Sequence, residues 1–176
     1  MSILKTFKID VCQRDLNFIY KKVSEYPWHE MPSDGGWQFG TNIDFMKDLC
    51  KYWVEQFDWK RQEDKINSFD NFTAEVDGIE VHFIYERGSG SKPKPLIISH
   101  GWPGSIIEFI EIIDPLAHPE RYGGNAEDAF DVIVPSLVGF GFSGKPPRPY
   151  GPRRMALIFN KLMTEVLGYK LSLIHI

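Results

Sequence analysis

From Leu96 onward the chain alternates short apolar runs, glycine-containing loops and amphipathic segments, and this alternation restricts the fold more than any other feature. Residues 96–98 (Leu-Ile-Ile) and 130–134 (Phe-Asp-Val-Ile-Val) read as strands buried on both faces. Residues 105–116 place Ile106, Ile107, Phe109, Ile110, Ile113 and Leu116 at helical spacing. Residues 154–167 do the same with Met155, Ile158, Phe159, Leu162, Met163, Val166 and Leu167, and Gly168 stands where a glycine ends a helix. Strands separated by helices predict an α/β fold, a parallel sheet covered by helices.

Upstream the pattern differs. Phe72, Ala74 and Val76 alternate, Asp77-Gly78 is a turn signal, and Ile79, Val81, Phe83 and Tyr85 alternate again, which predicts a β-hairpin. The polar stretch 86–95 fits a long hairpin connection between two strands. Residues 1–70 read as a mainly helical region. Asp15 is placed to cap a helix whose face is Leu16, Ile19, Tyr20 and Val23, and Thr41 with Asp44 forms a capping-box pattern before Ile43, Met46, Leu49, Cys50, Trp53 and Phe57. A shorter helix is expected over 58–67, whereas 27–40 carries too much Pro and Gly for either regular structure. The expected organisation is thus 1–70 helical, 71–170 the first part of an α/β core, and a tail at 171–176.

The 176 residues suffice for about one ordinary domain with a buried core. A net charge of −4 argues against a nucleic-acid partner, which calls for a basic surface. With no apolar stretch of about eighteen residues, no transmembrane anchor is expected, and a start too short for a signal sequence makes the expected location cytoplasmic, with peripheral membrane association left open. Cys12 and Cys50 lack CxxC spacing and are expected to be reduced, buried thiols. His29, His82, His118 and His175 have no metal-ligand spacing.

The segment Ser99-His100-Gly101-Trp102-Pro103-Gly104-Ser105 follows a predicted buried strand and precedes a predicted helix. Such a loop can hold backbone N–H groups outward at the carboxyl end of a strand, where α/β proteins bind ligands; an ordinary tight strand-to-helix turn would use the same residues. Two other patterns are accidental. Gly139-x-Gly141-x-x-Gly144 and Gly141-Phe142-Ser143-Gly144-Lys145 mimic a dinucleotide fingerprint and a nucleophile elbow, but both need a helix to open there, and the proline-rich stretch 145–152 forbids one.

His100-Gly101-Trp102-Pro103-Gly104-Ser105 with Glu108-Phe109 resembles the oxyanion loop of the microsomal-type epoxide hydrolases. The segment 135–143 (PSLVGFGFS) resembles their proline-to-serine loop after the next strand, with Val138 and Phe140 where the family usually has Pro and Tyr. Trp37-Gln38-Phe39-Gly40, Tyr52-Trp53, Asp58-Trp59-Lys60 with Glu63 and Asn67, and the hairpin Asp77-Gly78-Ile79 with Val81-His82-Phe83 are similar to that family's N-terminal region. The resemblance spans residues 5–169. It implies the N-terminal half of an α/β-hydrolase fold and hydrolysis of a small hydrophobic epoxide to a vicinal diol with water and no cofactor. An Asp carboxylate would open the ring, lid tyrosines would hold its oxygen, and a His with an acidic partner would direct water onto the resulting ester. By the same resemblance the backbone N–H of Trp102 is an oxyanion donor, the Trp102–Pro103 bond is cis, and His100, Gly101, Pro103 and Gly104 support the loop. Trp102 and Phe142 are the expected substrate contacts. Trp28, Trp37, Phe39, Tyr52, Trp53 and Phe57 are expected mainly to pack between the helical region and the sheet.

The resemblance places the nucleophile, acid and base beyond Tyr169. Residues 171–176 (LSLIHI) could be the fifth strand or a non-native tail. Without a nucleophile the chain is expected to be inactive and, with a half-finished sheet, prone to aggregate. The rivals are another α/β-hydrolase chemistry, of esterase or dehalogenase type, and a short non-catalytic paralogue. HGWP in place of HGGG speaks against the esterase, and the N-terminal helices speak against the dehalogenase.

Overall fold

The computed structural model describes residues 4–30, 36–170 and 173–175, so part of the 27–40 stretch and of the 171–176 tail lies outside the described residues. Contacts divide the chain into two compact units, Met1–Lys8 with Lys65–Ile176 and Ile9–Asp64.

The first unit holds a sheet of six strands: β1 Lys5–Thr6, β2 Asn71–Val76, β3 Ile79–Glu86, β4 Lys94–Ile98, β5 Phe130–Pro135 and β6 Leu173–His175, in the order β1-β2-β3-β5-β4-β6. The hairpin forms as the alternation requires, with Ala74 opposite Val81 and Val76 opposite Ile79. Asp77 and Gly78, at φ 52° and 76°, make the two-residue turn whose twist matches the strands. The 86–95 stretch is not a hairpin connection. β3 pairs antiparallel with β5, Phe83 opposite Pro135 and Tyr85 opposite Ile133, and β4 lies on the far side of β5, parallel to it. Inserting β5 there lets two consecutive buried strands run parallel while each keeps both edges paired, since β6 runs parallel on the other side of β4. The chain also begins differently from the expected helical region: residues 5–6 form a strand, Lys5 opposite Thr73.

One face of the sheet presents Val81, Phe83, Tyr85, Ile97 and Ile133 to the face of a helix bearing Ile158, Phe159, Leu162 and Met163. That element is regular over Pro152–Lys161 and widens to a π-turn at Leu162–Val166, where the Leu167 N–H reaches the Leu162 carbonyl at 3.0 Å. Gly168, at φ 76°, closes it as expected. The crossover between β4 and β5 is a 3₁₀ turn, Ile106–Phe109, running into a helix at Ile110–Ala117 that buries Ile110 and Ile113 against the sheet; Ile107 is exposed.

The second unit is built from α1 Gln13–Ser24, α2 Ile43–Glu55 and most of α3 Trp59–Asn67, so the helices at Ile110–Ala117 and Pro152–Lys161 are α4 and α5. Two helix starts are corrected. Cys12 stands at the α1 N-cap, with Asp15 inside the first turn, where its carboxylate favours the positive helix end. Asn42, not Thr41, caps α2, accepting the Phe45 N–H at 3.0 Å. The unit is tied by Glu63, a buried carboxylate that accepts the Val11 N–H at 2.8 Å, the Trp59 indole N–H at 3.0 Å and the Lys60 ammonium at 2.8 Å. Burial pushes its pKa up, but these donors, Lys60 first, outweigh it and hold the group below the usual carboxylate range. One further expectation fails here. Cys12 is exposed and Cys50 half-buried, both free. Trp37, Phe39, Tyr52 and Trp53 are exposed, and the Trp37 ring lies 5.2 Å from that of Phe45 within the unit. Among the described residues no helix is long and apolar enough to cross a membrane.

Candidate functional site

The loop leaving β4 is held from both ends. At its start, His100 is only 4% exposed; its Nδ1 lies 2.9 Å from the Gly101 carbonyl, and its Nε2 accepts the Leu137 N–H at 3.1 Å. Since Nε2 accepts, the ring hydrogen sits on Nδ1 and donates to Gly101. The imidazole therefore staples the loop after β4 to the loop after β5. At the far end, the Ser105 N–H donates to Glu108 Oε1 at 3.0 Å and the Ile107 N–H to Ser105 Oγ at 3.3 Å, a complete capping box. Gly104 is required by this arrangement: a Cβ there would lie 1.6 Å from Glu108 Oε1. The S-x-x-E spacing of Ser105 and Glu108 shows this cap in the sequence, where Glu108 figured only in the resemblance. Between the two staples the Trp102–Pro103 bond is cis, the Gly104 N–H bonds the Gly101 carbonyl at 2.9 Å, and the Trp102 N–H meets no acceptor among the described residues.

The loop after β5 is held by a second buried histidine. His82 sits between Asn71 Oδ1 at 3.1 Å and Ser136 Oγ at 3.0 Å. The Asn71 amide donates to the Ile66 and Phe69 carbonyls, so its oxygen faces His82; His82 Nε2–H therefore donates to it and Nδ1 accepts from Ser136. Burial pushes this imidazole down to about 4, which keeps it neutral. Ser143 continues the network, accepting the His82 N–H at 3.0 Å and donating to the Ser136 carbonyl at 2.8 Å. Ser143 is thus a structural hydroxyl, and no helix opens at 139–144.

These loops wall a cavity of 480 Å³ at the carboxyl ends of the parallel strands β4 and β5. Ile97, Ser99, His100, Gly101 and Trp102 come from β4 and its loop, Leu137 and Phe140 from the loop after β5, and Tyr150, Gly151, Pro152, Met155, Ala156 and Phe159 from α5 and its approach. The lining is apolar and carries no carboxylate among the described residues. Of the singled-out residues, His100, Gly101 and Trp102 line it, Trp102 being 79% exposed, while Pro103 and Gly104 shape the turn without lining it. Phe142 does not line it. Its ring lies 5.2 Å from His82 and 5.8 Å from Phe7, and Phe140 takes the place expected of it.

Residues 4–109 match the family described as epoxide hydrolase N terminus, and residues 94–170 match the alpha/beta hydrolase fold. A rabbit (Oryctolagus cuniculus) protein named epoxide hydrolase 1 is 33% identical over 172 residues, covering 95% of this chain and 38% of the relative. Juvenile hormone epoxide hydrolase 1 of Ctenocephalides felis is 31% identical over 172 residues, covering 95% of this chain and 36% of its own length. The chain thus spans little more than a third of the curated relatives it matches. Among solved structures, juvenile hormone epoxide hydrolase from Bombyx mori superposes with a TM-score of 0.86 at 27% identity, over 99% of this chain and 41% of that one. An Aspergillus niger epoxide hydrolase does so with a TM-score of 0.84 at 27% identity, over 98% and 45%. The match over residues 4–109 takes in more than half of the chain, and the chain belongs to the epoxide hydrolase family as its N-terminal region and the first part of its α/β-hydrolase core.

Proposed function

We propose that this chain provides the oxyanion-binding loop and one wall of the substrate cavity for hydrolysis of epoxides to vicinal diols. The observation that carries the reading is the Trp102 N–H, which meets no acceptor among the described residues, beside an apolar cavity in a loop fixed by His100 and Glu108. In the first step a carboxylate attacks an epoxide carbon; that C–O bond breaks, an enzyme ester forms, and the ring oxygen takes a proton. In the second, water activated by a base adds to the ester carbonyl, the developing oxyanion lies against the Trp102 N–H, and collapse releases the diol and regenerates the carboxylate. One such donor is worth about 10²–10³ in rate. None of the described cavity residues is a carboxylate, so the 176-residue chain alone is expected not to turn over an epoxide.

The test is to read the gene past codon 176, express the longer protein and supply styrene oxide. The expected result is phenylethanediol, with a trapped ester on an Asp at the carboxyl end of the strand that follows Tyr169 and pairs with β4, and no product from the short chain. A trapped ester on Ser, or no diol at all, rules the reading out.

A further inference from the structure

The Trp102 N–H and the Gly101 carbonyl belong to one planar peptide group, so whatever fixes the carbonyl also fixes the direction of the N–H opposite it. Two donors hold that carbonyl, the Gly104 N–H at 2.9 Å and the His100 Nδ1–H at 2.9 Å. The His100 ring is held in turn by the Leu137 N–H at 3.1 Å. Leu137 follows Ser136, which binds His82 twice: its N–H donates to the His82 carbonyl at 2.9 Å and its hydroxyl to Nδ1 at 3.0 Å. Consecutive residues of the loop after β5 thus donate to one buried imidazole each. A continuous run of hydrogen bonds and peptide units leads from Asn71 through His82, Ser136 and His100 to Trp102.

Filling space does not require these groups. His82 and Ser136 are 0% and 1% exposed, and burying an imidazole and a hydroxyl costs free energy that apolar side chains in the same space would not. Both are also confined. Phe7 and Phe142 stand edge-on to the His82 ring at 5.0 and 5.2 Å, and a Cβ on Gly141 would lie 2.9 Å from Ser136 Oγ. Neither His82 nor Ser136 lines the cavity.

We infer that His82 and Ser136 are positioning residues for the Trp102 N–H, acting through His100 from outside the cavity. This role rests on the reading of that N–H as the oxyanion donor and adds what aims it. The two chemical steps depend on the aim differently. In ring opening the attacking carboxylate loses charge, so a donor beside it gives the transition state nothing extra. When water adds to the ester carbonyl, negative charge develops on the oxygen that meets the Trp102 N–H. A misdirected N–H therefore slows ester hydrolysis and spares ring opening.

The experiment uses the longer protein with styrene oxide, quenched in acid at successive times so that ester and diol are each measured. In Ser136→Ala and His82→Phe, ester hydrolysis should slow about tenfold while ring opening stays within about twofold of the parent. Ester should then accumulate, and kcat and KM should fall together with kcat/KM little changed. Ile113→Val, a truncation of a buried α4 side chain outside this run of hydrogen bonds, should lower the melting temperature and keep the parent's ratio of the two rates. If His82→Phe fails to fold, Ser136→Ala, which loses a single hydroxyl, decides. Equal slowing of both steps in Ser136→Ala, or no slowing of either, overturns the positioning role and leaves the oxyanion reading standing. A parent that forms no ester overturns that reading and this role with it.

Discussion

Glu108 can reach the Ser105 N–H only because residue 104 has no side chain. In Gly104→Ala the new methyl must push the carboxylate aside, and losing the cap should cost about 1 kcal/mol in urea unfolding. Adding Glu108→Ala to that variant should then cost almost nothing further, and full additivity would contradict the coupling. His82 sets a pH dependence whose sign follows from burial. Its imidazole titrates near 6.5 when unfolded and about 4 when folded, so between those values the unfolded chain binds more protons and stability falls as pH falls. The contribution, about 3 kcal/mol, is fully present above pH 7 and should be lost progressively from about pH 6.5 to 4, read as a falling urea midpoint. The residues of the Trp102 loop are legible in the sequence because their order along the chain is also their order in space. The choice between Phe140 and Phe142 is not. Gly139 and Gly141, at φ 87° and 52°, redirect the chain around each aromatic, and nothing in the spacing says which one meets the cavity.

At the scale of elements, α5 is clamped to the tip of the β2–β3 hairpin by one residue. Asp77 binds Arg154 and Lys161 together, and its carboxyl lies below the ordinary range chiefly because Lys161 donates to it. That stabilisation is therefore present above the ordinary carboxylate range and disappears as pH falls through the lowered value. Asp77→Asn should lower the melting temperature and speed hydrogen exchange along α5, and should remove part of the salt sensitivity of the parent. Unchanged α5 exchange would show that the clamp holds nothing. The inward face of α5 could be written down beforehand because helical spacing alone defines it. Helix starts were less secure: Thr41 and Asn42 are both cap-competent neighbours, and a single hydrogen bond decides between them. The place of β5 between β3 and β4 could not be read at all, since apolar runs show that strands are buried but not which strands they meet.

For the whole molecule, exposed apolar surface is the dominant property. Among the described residues β6 pairs on one side, with β4, and Trp37, Phe39, Phe45 and Tyr52 are exposed. The 176-residue chain should self-associate with rising concentration, detected by light scattering after size exclusion; a lasting monomer with a sharp, cooperative melt would refute this. The strand order has a consequence for synthesis as well. As the chain leaves the ribosome, the β2–β3 hairpin appears with its inner edge bare, and β4, arriving next, is not the strand that will sit there. That edge waits until Pro135 has emerged, so a nascent chain stalled between residues 98 and 135 would display three unsatisfied edges at once, one on β3 and two on β4, the stretch in which a chaperone has the most to hold.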